Sequence, residues 1–122
     1  MTIAFWCVLA AMFLPTLWVS AAKSGGFDNA APRISLAELD GWRRRADWAH
    51  RNANEAFAPF AAAVIIAHML QGDQQTVDLL AMTYVGARFL HGVCYIADLA
   101  TMRSLMWAIG MVCVVSLIVA GT

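Results

Sequence analysis

Residues 3–22 read IAFWCVLAAMFLPTLWVSAA, an apolar stretch without a single charged side chain. A helix of about 20 apolar residues is long enough to cross the hydrocarbon core of a bilayer. The last four residues are similar to a signal-peptide cleavage site. However, no basic segment precedes the stretch, which is longer than the usual core of a signal peptide. We therefore predict a retained membrane span with a kink near Pro15.

Three more apolar stretches follow, separated by polar segments. Hydrophobic residues make up 61% of the 122 residues and charged residues only 13%, a balance far from that of a soluble domain. The short second and third connections make the helices that they join antiparallel neighbours. We predict one all-α integral membrane domain over residues 1–122, a bundle of four transmembrane helices with spans at about residues 3–22, 46–70, 76–97 and 102–120.

Basic side chains collect at one end of this bundle. The connection at residues 23–45, which contains a predicted short interfacial helix at residues 35–40, holds Lys23 and four arginines, and Arg103 follows the connection at residues 98–101. The positive-inside rule therefore places these two connections in the cytoplasm and both termini outside. Anchors at the membrane interface are expected at Trp18, Trp42, Trp48 and Trp107.

Charge and cysteine content argue against several classes of function. Eight basic residues balance eight acidic ones, so no net charge attracts nucleic acid. Three cysteines lie in apolar stretches, without a CxxC pair or a histidine at metal-ligand spacing. We therefore expect neither a disulfide framework nor a metal site. The cysteines are Cys7, Cys94 and Cys113.

Ionisable residues within the second and third predicted spans need a reason, because a charge in the hydrocarbon core is costly. At about 100° per residue, Arg51, Asn52 and Glu55 fall on one face of the second span, with Arg44 a turn earlier. The third span has one polar face as well. Its members are Tyr84, Arg88, His91 and Tyr95.

The two polar faces are expected at the same depth. With a rise of about 1.5 Å per residue, Glu55 lies about 13 Å from the cytoplasmic surface, and Arg88 about 15 Å from the same surface. Arg51 can pair with Glu55 along the helix, with Arg88 completing a structural staple. Alternatively, Arg51, Arg88, Arg44 and Arg103 together exceed the charge of one carboxylate, so the cluster binds an anion, either a carboxylate-bearing small molecule or a lipid head group.

The segment RRRADWAHRNANEAFAPF at residues 43–60 resembles the second helix of the MAPEG family, the membrane-associated proteins of eicosanoid and glutathione metabolism. Its residues 49–52, Glu55 and residues 59–60 fit that family's pattern in register. Residues 88–95, RFLHGVCY, are similar to the second family signature, an arginine followed seven residues later by a tyrosine. With residues 95–105, YIADLATMRSL, the chain looks like a small bacterial branch of the family.

The resemblance implies a homotrimer of four-helix subunits that binds glutathione, as co-substrate, between neighbouring subunits near the cytoplasmic face. Asn52 and Glu55 would hold the polar ends of the tripeptide, with Glu55 on its ammonium group. Arg88 and Tyr95 would contact its carboxylates or backbone. Arg103 would be the catalytic residue, stabilising the thiolate so that the nucleophile exists at neutral pH.

Two positions depart from the family pattern. Trp48 stands where members carry an arginine, and Arg44, Arg45 or Arg51 are candidates to replace it in carboxylate binding. His91 replaces a tyrosine or similar residue near the thiol, where it is either a proton carrier or a plain hydrogen-bonding residue.

Two functions from different classes follow from these observations. The first is a glutathione-dependent transferase or peroxidase of the bacterial inner membrane, acting on lipophilic small molecules that enter from the lipid bilayer. The alternative is a non-catalytic membrane module that binds a lipid head group or a partner protein. In that case Glu55 and Arg88 form a structural pair.

Overall fold

The computed structural model describes all 122 residues, and every regular element in it is a helix. Three of the four long helices are long and apolar enough to cross a membrane, namely α1, α4 and α5. The longest helix, α3, does not meet that criterion, since polar and charged side chains fill its first half. The helices are α1 (Ile3–Lys23), α2 (Pro32–Ala37), α3 (Gly41–Met69), α4 (Gln74–Ile96) and α5 (Ala100–Ala120).

The helix bounds agree with the predicted spans to within two residues except in the first connection. The short helix covers Pro32–Ala37 instead of residues 35–40, because Pro32 suits the first turn of a helix, where a missing N–H costs nothing. The helix predicted from residue 46 begins at Gly41. That early start is explained by the arginines of its first turns, which are held by carbonyl groups of other helices.

Small side chains let the long helices approach closely. Ala4, Cys7 and Ala11 of α1 share one buried cluster with Phe60 and Ala63 of α3. Membrane helices are held together by close backbone approach and van der Waals packing, so such residues are favoured where two helices meet. The tight α1–α3 contact fixes the position of α3, which carries half of the predicted site residues.

Trp18 fills the space between α1 and α4 and is only 6% exposed. Its indole lies against Gly92, where an added Cβ would come within 2.2 Å of the ring. The expectation that Trp18 is an interface anchor is therefore wrong. The three other tryptophans expected there are 45–46% exposed, and they are Trp42, Trp48 and Trp107.

Three consecutive arginines in the first turns of α3 bind backbone carbonyls at or just after the ends of α1, α2 and α4. Because the last carbonyls of a helix have no partner within it, these guanidinium groups satisfy acceptors that would otherwise be unpaired. They join α1, α2 and α4 at the end of the bundle where the 24–40 and 97–99 connections lie, here named the connection end. The bonds run from Arg43 Nε to Ala22 O (2.8 Å), from Arg44 Nε to Leu39 O, and from Arg45 Nε to Ile96 O (3.0 Å).

Candidate functional site

Arg88, on α4, is a buried cation without a carboxylate partner in the chain. It is 5% exposed, and its Nη2 donates a hydrogen bond to Asn52 Oδ1 on α3. The carbonyl-like acceptor of an amide is neutral, so the positive charge stays uncompensated. Burial of such a charge is costly unless an anion reaches it. Gly110 on α5 lies beside the stem of this side chain, and a Cβ there would be in van der Waals contact with Arg88 Cδ at 3.4 Å.

Glu55 does not supply the missing anion. It is exposed and makes neither a hydrogen bond nor an ion pair within the chain. The one ion pair joins Arg51 Nε to Asp47 Oδ2 at 3.1 Å, one turn before Glu55. The anticipated pairing of Arg51 with Glu55, and the structural staple of Glu55 with Arg88, are therefore both wrong for this chain.

A second cation stands at the mouth of the cluster. The guanidinium carbon of Arg103 lies 4.5 Å from the centre of the Tyr95 ring, a cation–π arrangement. The Tyr95 ring also meets the His91 ring edge-on, at 5.6 Å between centroids. His91 is 4% exposed and has no hydrogen-bond partner in the chain. Its ring is therefore free to accept or donate a bond on the cavity side.

Two cavities meet at this cluster. One, of about 150 Å³, is lined by Glu55 and Arg88 together with apolar side chains of α3 and α5. The other, of about 230 Å³, is lined by His91, Tyr95 and Arg103. Asn52 and Trp107 belong to both walls, so the two cavities adjoin. Together they form a groove, here named the α3–α5 groove, with a polar mouth and an apolar inner end formed by Pro59, Met111 and Val114.

Tyr84 sets the spacing of α3 and α4 at the inner end of the groove. Its hydroxyl donates to the backbone carbonyl of Ala56 at 3.0 Å, and its ring stacks on Phe60 with centroids 3.8 Å apart. Phe60 is fully buried, so this pair acts as a fixed spacer. One turn further along α4, the spacer holds Arg88 opposite Asn52 on α3.

A family model, described as the MAPEG family, matches residues 3–122. The chain belongs to the MAPEG family. Members of this family include glutathione-dependent transferases and peroxidases. Comparisons with curated proteins and with solved structures gave no match. The match covers all four long helices, and therefore every residue of the α3–α5 groove.

Most of the residues singled out in this MAPEG chain line the groove, but three arginines do not, and Arg45 is bound to Ile96 O. Arg44 is exposed and bound to the carbonyls of Ala37 and Leu39. Arg51 pairs with Asp47 and lines a different cavity. The residues that the structure brings together are Asn52, Glu55, Arg88, His91, Tyr95 and Arg103.

Trp107, expected only as an interface anchor, is a wall residue that the sequence pattern did not assign to the site. It follows Arg103 by four residues on α5, so the two share one helix face. Its indole borders both cavities. The four-residue spacing from Arg103 to Trp107 is the sequence signal that could have identified it, because this spacing places both residues on one face of α5. Trp48, at the position where members carry an arginine, lies 6.3 Å from the Tyr95 ring.

Proposed function

We propose that the chain is a glutathione-dependent membrane enzyme, a transferase or peroxidase that conjugates or reduces lipophilic electrophiles. The observation that carries this proposal is Arg88, a buried guanidinium whose hydrogen-bond partner in the chain is a neutral amide. With Arg103 nearby, the groove has two cations and no paired carboxylate. An anionic ligand compensates these charges, and family membership makes glutathione the first candidate.

The chemistry of glutathione matches the groups of the groove. The tripeptide carries two carboxylates and one ammonium group. Arg88 and Tyr95 bind its carboxylates or backbone, Asn52 adds an amide, and the unpaired carboxylate of Glu55 receives the ammonium group. Each of these side chains lines one of the two adjoining cavities.

Arg103 is the catalytic residue in this proposal. A guanidinium held 4.5 Å from the Tyr95 ring centre is in a defined position at the polar mouth, where it stabilises the thiolate of bound glutathione. The S–H proton leaves to His91 or to water, and the sulfur electron pair attacks the electrophile. The apolar inner end of the groove receives the lipophilic substrate, which enters from the bilayer.

We propose a homotrimer, as the family resemblance implies, and the exposure of Glu55 supports contact with a neighbouring copy. A carboxylate on the outer face of a membrane helix is costly in lipid, and a neighbouring copy that covers it removes that cost. In this arrangement α3 also crosses the membrane, together with α1, α4 and α5, although α3 alone does not meet the hydropathy criterion for a span. We place the first and third connections in the cytoplasm, both termini outside, and the protein in the inner membrane of a bacterium.

Titration of the detergent-purified protein with glutathione tests the proposal. We expect binding heat together with ultraviolet absorbance of a thiolate at neutral pH. Arg103→Ala should abolish the thiolate absorbance and leave most of the binding, whereas Glu55→Gln should weaken binding. Glu38→Gln, a carboxylate-to-amide change outside the groove, is the matched control.

Two results would contradict the proposed enzymatic function. No heat and no thiolate absorbance at millimolar glutathione would remove glutathione as the ligand. Loss of the trimer in Arg103→Ala, with no specific loss of the thiolate signal, would instead favour the non-catalytic membrane module. Cross-linking in the membrane before and after the substitution distinguishes these cases.

A further inference from the structure

A third cavity lies at the connection end, between α2 and α3. Its volume is about 390 Å³, within the range of about 300–1,000 Å³ that small-molecule sites occupy. It shares no residue with the α3–α5 groove. The cavity is here named the Asp47 pocket, and it is lined by Arg33, Leu36, Asp47, His50 and Arg51.

The carboxylate of Asp47 is nearly enclosed and only half satisfied. Its side chain is 4% exposed, Oδ2 accepts a hydrogen bond from Arg51 Nε at 3.1 Å, and Oδ1 is buried without any partner. Buried polar atoms are almost always hydrogen-bonded, so an acceptor without a donor indicates that a donor comes from outside the chain. It is the one buried side-chain polar atom of the protein left in this state.

Two guanidinium groups of the Asp47 pocket are free to bind an anion. Arg51 uses Nε alone within the chain, and its side chain is 56% exposed, so both of its Nη groups are free. Arg33 is exposed and makes no hydrogen bond or ion pair. The neighbouring arginines at residues 43–45 differ, because backbone carbonyls already occupy their donors.

His50 adds a second acceptor to this wall. His50 Nδ1 lies 3.0 Å from Pro15 O and 3.5 Å from the Asn54 amide nitrogen, and we assign the proton to Nδ1 because the carbonyl, which can only accept, is the closer partner. In the neutral ring, Nε2 then has a free lone pair. The Asp47 pocket thus combines two cationic donors with two acceptors that lack donors.

A ligand that matches this wall carries an anionic group next to its own N–H or O–H donors. We propose that the Asp47 pocket binds the head group of a phospholipid whose phosphate diester bears a donor-carrying amine, the phosphoethanolamine type. The phosphate lies on Arg33 and Arg51, and the ammonium group donates to Asp47 and His50. Arg51 reaches the phosphate with its free Nη groups while its Nε stays on Asp47 Oδ2, and Oδ1 is left to accept from the ammonium group.

The surroundings favour a lipid as the source of this head group. The Asp47 pocket is lined by α2 and α3, and its His50 contacts Pro15 O of α1, an apolar helix able to cross a membrane. Ile34, next to Arg33 on α2, is 64% exposed, which places an apolar side chain beside the cationic one. Such a pairing suits the boundary between head groups and acyl chains.

Lipids that differ only in methylation of the amine test the proposal. The delipidated, detergent-purified protein is titrated with dioleoyl phosphatidylethanolamine, its N,N-dimethyl derivative and dioleoyl phosphatidylcholine, and bound lipid is counted by native mass spectrometry. The first two retain an N–H donor, and the third has none. We expect phosphatidylethanolamine and its N,N-dimethyl derivative to bind about ten-fold more tightly than phosphatidylcholine. Equal binding of all three would overturn the proposal.

Substitutions then connect the preference to the pocket. Asp47→Asn should remove the preference for the N–H lipids, and Glu38→Gln, an exposed carboxylate in the connection before α3, should keep it. Since Asp47 is buried and its variant can fail to fold, Arg33→Gln provides a second test on an exposed side chain. It should weaken phosphatidylethanolamine binding about ten-fold and leave glutathione binding unchanged. Wild-type lipid binding in Arg33→Gln would overturn the proposal.

A water-soluble arm separates the two possible sources of this chemistry. Glycerophosphoethanolamine has the same phosphate and amine without acyl chains. We expect it to compete only weakly at millimolar concentration. Full displacement of the lipid at concentrations where the lipid itself binds would overturn the membrane source.

Discussion

Two groups of arginines differ in the partners of their guanidinium groups. The first group is Arg43, Arg44 and Arg45 at the start of α3, and the second is Arg88 and Arg103 in the α3–α5 groove. Each of the first three donates to a backbone carbonyl at or just after the end of another helix. Arg88 instead meets a neutral amide, and Arg103 lies over an aromatic ring. The first group donates to acceptors that the fold supplies, whereas the second keeps N–H donors that can bind an anion.

The difference teaches that the acceptors supplied by the fold, and not the charge itself, decide what a membrane arginine does. A carbonyl at a helix end has lone pairs that the helix cannot satisfy, so an arginine there stabilises the bundle. An amide oxygen satisfies one N–H of a guanidinium that has five. Substitutions in the two groups should therefore act on different observables.

The largest effect is expected for Arg88→Met. Removal of the buried cation takes away the main partner of the ligand carboxylates, so glutathione affinity should fall about 100-fold, as for the loss of a charge-assisted, bidentate contact. Thermal stability without ligand should stay the same or rise, since a buried charge without a counter-ion is removed. Calorimetric titration and thermal unfolding in detergent measure the two quantities.

Arg88→Lys serves as its control, because it keeps the charge and loses the planar fork. We expect intermediate affinity. If Arg88→Met bound glutathione as wild type does, the anion-binding role of the α3–α5 groove would be refuted. If it unfolded instead, Arg88 would belong with the structural arginines.

Arg45→Ala tests the other side of the comparison. The carbonyl of Ile96 loses its donor where α4 ends, and an unsatisfied, partly buried acceptor costs about 1–3 kcal/mol. The free energy of unfolding in mixed micelles should fall by that amount, while glutathione affinity per folded molecule stays constant. Arg44→Ala, at an exposed position with the same kind of bond, should cost less. An equal loss in both variants would mean that burial of the carbonyl is irrelevant.

The sequence predicted the meeting of the two polar faces correctly, and physics explains why. Helical phase and rise alone placed Asn52 and Arg88 at one depth, and the structure joins them by a hydrogen bond. The same argument failed for Arg44 and Arg51, because competing acceptors lay outside the helix being considered. Leu39 O is brought to Arg44 by the chain turn before α3, and no periodicity within a span reveals it.

Asp47 shows the same limit from the acid side. At i−4 from Arg51 it competes with Glu55 at i+4, and spacing cannot choose between the two partners. The fold chooses, since Asp47 is buried against its neighbours whereas Glu55 faces outward. Burial depends on which face of α3 meets α1, and that contact is set by small residues far along both helices.

A smaller effect is expected for Tyr95→Leu. The substitution keeps an apolar side chain but removes the ring over which Arg103 lies, and exposed cation–π contacts contribute about 0.5–1 kcal/mol. Thiolate absorbance at a fixed glutathione concentration should fall about three- to five-fold, since Arg103 is less well held. Tyr95→Phe keeps the ring and should retain most of the signal. A Tyr95→Phe variant as weak as Tyr95→Leu would assign the effect to the hydroxyl group instead.

The smallest effect concerns Asp73, whose carboxylate, like the guanidinium of Arg45, has hydrogen-bond partners within the chain. It lies before α4, outside the spans, and its Oδ2 accepts from the hydroxyl of Thr76 at 2.7 Å and from the Thr76 N–H at 2.9 Å. These bonds, the hydroxyl first, hold the pKa of Asp73 below its usual 3.8. The cap therefore stabilises α4 fully above pH 3.8 and is lost as the pH falls through the lower, folded value. Thermal unfolding of wild type against Asp73→Asn, whose amide does not titrate, should show the advantage of the wild type shrinking only below pH 3.8. A constant difference across that range would show that the charge of Asp73 takes no part in the cap.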